Sequence, residues 1–185
     1  LCGPLYKPVG ETGGPLPLSA QRREASKALR PLAQEAEAAG VTLALEPLNR
    51  FETDFINTVS QGTDFCGRVK SPACGLLLDT FHMHIEEKDT GESIRQAATH
   101  DAIAHFHASE NDRGIAGTGQ VDWKGAAAAL RRARYDGWIV LESFNQTNQA
   151  IRAAVSCWRP FYPSPWEFLE QGLAFVKRMF GRGKR

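Results

Sequence analysis

Glu46, Asp79, His107 and Glu142 are the residues whose types and spacing point most directly to chemistry. They lie 33, 28 and 35 residues apart, each interval close to one strand–helix unit of roughly 30 residues. Each also closes a short apolar run: Val41-Thr-Leu-Ala-Leu before Glu46, Leu76-Leu-Leu before Asp79, Ala102-Ile-Ala-His-Phe before His107, and Trp138-Ile-Val-Leu before Glu142. Runs of this length, bounded by turn residues, read as buried parallel strands. A carboxylate at the tip of such a strand is costly to desolvate unless something pairs with it. Taken singly, each acid is as well explained as a helix cap or a rim ion pair. Four in register deliver three carboxylates and one imidazole to a common face, the donor set of a divalent-metal site. It suits Mn²⁺ or Mg²⁺, with Co²⁺ a further option, whereas Zn²⁺ sites hold more His or Cys.

Other polar residues fall close to these tips. His105 alternates with His107, so both side chains share one side of a strand; His105 is either a support for the ligand or a packed core histidine. His82 lies three residues past Asp79, placed to donate to a substrate hydroxyl, and His84 reads as a rim residue. Arg113, in the loop Ser109-Glu-Asn-Asp-Arg-Gly114, offers a guanidinium for a substrate hydroxyl or carbonyl. The competing reading is an ion pair with Glu110 or Asp112. Glu52 is placed to reach a substrate hydroxyl from the rim. Gly114, Gly117 and Gly119 do not follow a phosphate-cradling order and read as turn formers.

The elements that must position these groups follow from the pattern. Residues 1–18 are rich in Gly and Pro and read as a loop, with a strand remnant at Leu1-Cys2. Ser19 is expected to cap a helix running to Ala39, with Ala25, Leu29, Leu32 and Ala36 as its apolar stripe and a kink at Pro31. Strands are expected at 41–46, 75–79, 102–107 and 138–142. Helices are expected at 58–70, 91–99, 122–135 and 166–180, and 143–165 reads as irregular and aromatic. Strict strand–helix alternation with a functional residue at each strand tip is the pattern of a (β/α)8 TIM barrel. A full barrel needs about 250 residues, so a chain of 185 is expected to form roughly the C-terminal half as one partial domain. A flavodoxin-like open sheet is the alternative, but it curves strand tips around one metal less readily.

Composition narrows the function classes. With 42% hydrophobic and 23% charged residues and a net charge of +1, the chain has an ordinary globular composition. Near-neutral charge gives no electrostatic reason to expect nucleic acid or a membrane surface as partner. Five of the last nine residues are basic, and 181–185 reads as a solvated basic tail. Cys2, Cys66, Cys74 and Cys157 have no C-x-x-C pairing and read as reduced core thiols of a cytoplasmic protein. Neither a membrane span nor a signal peptide is expected.

Four segments together resemble one family. They are Glu46-Pro-Leu-Asn-Arg-Phe-Glu52, Leu78-Asp-Thr-Phe-His-Met-His-Ile-Glu-Glu87, His105-Phe-His-Ala-Ser-Glu-Asn-Asp-Arg113 and Tyr135-Asp-Gly-Trp-Ile-Val-Leu-Glu142. They are similar to the ketose 3-epimerases, the D-tagatose/D-psicose (allulose) group of the xylose isomerase-like barrel superfamily. The resemblance implies that Glu46, Asp79, His107 and Glu142 bind Mn²⁺ or a similar ion, and that Glu52, His82 and Arg113 bind a small sugar. It also implies that Glu46 and Glu142 exchange the C3 proton through a metal-stabilised enediolate. The family's first barrel strands have no counterpart here, and the full-length protein is expected to be a homo-oligomer. Competing functions are an aldose–ketose isomerase of the xylose or hydroxypyruvate isomerase kind, and a non-catalytic sugar-binding barrel. A metal-dependent nuclease of the apurinic endonuclease kind fits the charge and histidine count less well.

Overall fold

A computed structural model describes residues 1–181; the basic tail expected at 181–185 lies, apart from Gly181, outside the described residues. Strands β1 (Cys2–Gly3), β2 (Leu43–Leu45), β3 (Cys74–Asp79), β4 (Ile103–Ala108) and β5 (Ile139–Leu141) form one parallel sheet in sequence order. Helices α1 (Leu18–Ala38), α2 (Val59–Val69), α3 (Thr80–Glu86), α4 (Thr90–Thr99), α5 (Trp123–Arg132), α6 (Gln149–Ala154) and α7 (Pro165–Phe180) connect and follow them. An all-parallel sheet in sequence order with helices outside is a half-barrel of the (β/α)8 type.

Alternation along the strands divides the two faces. Leu43, Leu45, Leu76, Leu78 and Phe106 join the hydrophobic core beneath the helices, so the residues between them point to the barrel interior. Leu77 pairs with His105 and Asp79 with His107, which sets both histidines and the aspartate on the interior side. The register slips between Leu76 and Leu77, a bulge of the kind that re-aims side chains near sites. Gly75 permits it, because a Cβ there would meet the Ala104 Cβ at 2.9 Å and the Ala102 carbonyl oxygen at 3.0 Å.

Several elements differ from the sequence expectation. Helix α1 begins at Leu18 after Pro17 with no side-chain cap, so Ser19 lies inside it. Its buried stripe is Ser26, Leu29, Ala33 and Ala36, and Leu32 is 55% exposed; the register of the 3.6-residue period favours Ala33 over its larger neighbour. The helix continues through Pro31. Helix α3 begins directly after β3, where no element was expected. The short helix α6 interrupts the segment expected to be irregular. Trp138 is 80% exposed and precedes β5, and Cys2 is exposed, so neither belongs to the core.

Candidate metal centre

The site is built where four strands end. Glu46 follows β2, Asp79 and His107 lie within β3 and β4, and Glu142 follows β5. One donor atom from each lies within 4.8 Å of those of the other three. Donors around one cation at about 2.0–2.3 Å sit up to roughly 4.5 Å apart, so the group needs little contraction to share an ion. Glu46 Oε1 and His107 Nδ1 are buried without any hydrogen-bond partner. Buried polar atoms are rarely left so, and a cation would satisfy both. A softer trio of Cys2, His105 and His107 also brings its donors within 4.8 Å, but among its atoms only the shared His107 Nδ1 is a buried orphan.

Asp79 serves two structures at once. Its Oδ1 accepts the Phe81 N–H at 2.7 Å and caps α3, while Oδ2 accepts Ser109 Oγ at 2.9 Å and Arg113 Nη1 at 3.1 Å. The cap and the metal-ligand readings of this residue are therefore not exclusive. Arg113 pairs with neither Glu110 nor Asp112. Its Nη1 bridges Asp79 to Glu142 Oε2 at 2.7 Å, and its Nη2 lies 3.2 Å from His82 Nε2. The guanidinium stacks over Phe81 at 3.9 Å and faces Phe144 at 5.1 Å. Arg113 itself has φ of 61°, an uncommon backbone for a non-glycine residue, and its carbonyl accepts from Ser143.

Glu110 orders the loop that carries Arg113. Fully buried, it accepts the backbone N–H groups of Asn111, Gly117 and Val121 at 3.1, 2.7 and 3.1 Å, and the Trp123 indole N–H at 3.0 Å. Burial alone would raise its carboxyl pKa, but these donors hold it below the usual range.

On the opposite wall, Asn49 links two predicted site residues. Its backbone N–H donates to His82 Nδ1 at 3.0 Å, and its side-chain amide donates to Glu52 at 2.8 Å. That bond takes a lone pair on Nδ1, while the donor-only Arg113 Nη2 faces Nε2, so the two contacts compete for the tautomer of a neutral His82. The Nε2–Glu46 Oε1 distance is 3.7 Å, too long for a hydrogen bond. Tyr6, from the first loop, donates its hydroxyl to the Glu46 carbonyl at 2.6 Å and fixes that strand tip. His105 packs edge-on to His107 with ring centroids 5.1 Å apart. His84 is exposed on α3, as a rim residue should be. Asn49 and Ser109 were missed as site residues, although both lie inside the segments that carried the resemblance.

The electrostatics are those of crowded acids. Burial, reinforced by Asp79 and Glu142, pushes the Glu46 carboxyl up to about 8. Burial would also raise Asp79, but Arg113 and His107 overcome it and hold the carboxyl well below the usual range. Burial works against charge on His107, yet Asp79 and Glu142 lift the imidazole to about 10. His82 is depressed to about 4 by burial and stays neutral, and burial raises Glu52. Without a metal ion, protons on Glu46 and His107 offset the clustered acids beside Arg113, and a bound cation would take the place of those protons.

The fold and this donor set define the class: the chain belongs to the xylose isomerase-like TIM barrel family, whose profile matches residues 4–161. Its relatives are named more narrowly. A probable ketose 3-epimerase of Synechocystis sp. is 37% identical over 97% of this chain and 62% of its own length. A structure of an L-ribulose 3-epimerase superposes with a TM-score of 0.90 at 34% identity, covering 97% of this chain and 60% of that one. The D-allulose 3-epimerase of Methylomonas sp., crystallised with D-allulose, superposes at 0.89 with 33% identity over 96% of this chain and 62% of that one. The chain thus spans about three-fifths of the length of the relatives it matches.

Proposed function

We propose that the protein is a metal-dependent isomerase that inverts C3 of a small ketose. The observation that carries this reading is the convergence of Glu46, Asp79, His107 and Glu142, with two of their buried atoms left unpartnered. When bound, a divalent cation, Mn²⁺ in preference to Mg²⁺ or Co²⁺, supplies a Lewis acid that polarises the ketone and offsets the charge developing on it. All four residues are assigned to hold it. Glu46 and Glu142 also exchange the proton. They project from strands separated in the sheet by β3 and β4, and they are assigned to opposite faces of the bound sugar. One carboxylate removes the C3 proton to leave a flat enediolate, and the other returns a proton from the opposite face.

Glu52, His82 and Arg113 are assigned to the substrate. Neutral His82 is assigned to one hydroxyl, Glu52 accepts from another, and Arg113 has donors left beyond those on Asp79 and Glu142. D-allulose in the Methylomonas relative supports a ketohexose or a close analogue as the substrate class. The residues 1–185 are read as one partial barrel domain, acting in the cytoplasm within a homo-oligomer when full length. The four free cysteines among the described residues suit a reducing compartment. The exposed stripe of Trp166, Leu169 and Leu173 on α7 offers an apolar surface for self-association. No described helix is long and apolar enough to cross a membrane, and no nucleic-acid role is proposed.

The test is metal analysis of the full-length protein combined with incubation on fructose, tagatose and their phosphates, with products followed by chromatography. The C3 epimer as first product supports the reading. An aldose as first product assigns the isomerase alternative, and ketose binding without turnover assigns a sugar-binding role.

A further inference from the structure

At the opposite end of the sheet from the metal centre, two cysteines from different elements meet. Cys66 lies on the inner side of α2, is buried, and donates its thiol to the Gly75 carbonyl at 3.5 Å. Cys74 opens β3 and is half-buried, with its sulfur 3.8 Å from that of Cys66. Both line a surface cavity of about 340 Å³, together with Lys70, His100 and Asp101. Thiol pairing across two elements requires facing side chains and a route for an oxidant, and this corner of the fold supplies both. We propose that Cys66 and Cys74 form a redox-active dithiol that closes reversibly to an intrachain disulfide when hydrogen peroxide enters this cavity.

The Cys74 thiolate, the more accessible of the two, attacks one peroxide oxygen, breaking the O–O bond. It becomes a sulfenic acid, and the leaving hydroxide takes a proton to give water. The Cys66 sulfur then attacks the sulfenic sulfur, forming the S–S bond and releasing a second water. Two thiols lose two electrons and two protons, and the peroxide takes up both. The partner thiol favours the Cys74 thiolate over an isolated one, consistent with Cys74 reacting first. Closing the sulfurs from 3.8 Å to the roughly 2.04 Å of a disulfide requires the two side chains to approach further. Cys74 sits five residues before Asp79, so the link would tether the strand that carries this metal ligand at its far end.

The experiment treats the full-length, metal-loaded protein with hydrogen peroxide, alkylates the remaining thiols, and maps peptides by mass spectrometry. The expected product is one Cys66–Cys74 cross-link, about 2 Da lighter than the two free thiols, reversed by dithiothreitol. In Cys66→Ser protein, dimedone is expected to label Cys74. In Cys74→Ser protein, the cross-link is expected to be lost with little dimedone on Cys66. The proposal is overturned if both cysteines of the wild-type protein remain alkylatable after peroxide. It is equally overturned if the new bond involves Cys2 or Cys157, or if Cys66 is the residue that dimedone captures.

Discussion

Asp79 shows how one side chain can serve local structure and chemistry together, and its two oxygens can be tested separately. Asp79→Asn retains an oxygen for the α3 cap but loses the charge, whereas Asp79→Ala loses both. In metal-free protein, Asp79→Ala is expected to be about 1 kcal/mol less stable than Asp79→Asn, the value of a helix cap, measured by urea denaturation. Both are expected to lose Mn²⁺ affinity. Glu142→Gln keeps a similar shape on a partly exposed site, so the fold should survive while turnover drops by roughly a hundredfold or more, the scale of a lost acid–base group. Steady-state kinetics alongside circular dichroism checks this, and substantial residual epimerisation contradicts the assigned role. At this scale the sequence disclosed the four donors because the chemistry repeats at the strand period. It did not disclose what Arg113 touches, because a loop residue with φ of 61° is aimed by its backbone and by Glu110, neither of which leaves a periodic signal. Asn49 was hidden for a different reason: its role depends on His82, 33 residues away.

At the scale of elements, the loop after β4 is the part most dependent on one group. Glu110 gathers four donors into the interior, so Glu110→Gln places an amide N–H₂ among N–H donors. The expected cost is about 2–3 kcal/mol, from lost charge-assisted bonds and a buried mismatch. Because the folded carboxyl lies below its ordinary value, its contribution is complete above the unfolded pKa of about 4.3 and fades as pH falls through the folded value. The stability gap between wild type and Glu110→Gln should therefore narrow on acidification from pH 6 to pH 3, and a gap that widens would contradict the assignment. The strands and long helices were legible because their hydrophobic periods are regular. Helix α3 was not: its seven residues are too few to establish a period, and it follows a strand without a turn. Helix α6, at six residues, escaped for the same reason. Leu32 is exposed because the buried stripe of α1 is centred on Ser26, Leu29, Ala33 and Ala36, a phase that its apolar residues alone do not fix.

For the molecule as a whole, the half-barrel is held by a core beneath the helices, while its interior face collects charge at one end. Crowding of Glu46 with Asp79 and Glu142 is met in the empty site by protons held on Glu46 and His107, which metal binding must displace. Mn²⁺ at a hundred times its dissociation constant should raise stability by about 2.7 kcal/mol through linkage, visible as a higher melting temperature, and Asp79→Asn should abolish that increment. An equal rise in the variant would show that the ion binds elsewhere. Barrel architecture was legible from the spacing of strand tips, but the curvature that brings those tips together comes from twist and from the bulge at Leu76/Leu77, which the leucine run conceals.

Anomalous diffraction at the manganese edge, from crystals of the protein grown with Mn²⁺, tests the central claim most directly. The account predicts a single peak bonded at about 2.0–2.3 Å to oxygens of Glu46, Asp79 and Glu142 and to a ring nitrogen of His107. No peak at that position, or one held by Cys2 and His105 instead, would contradict it.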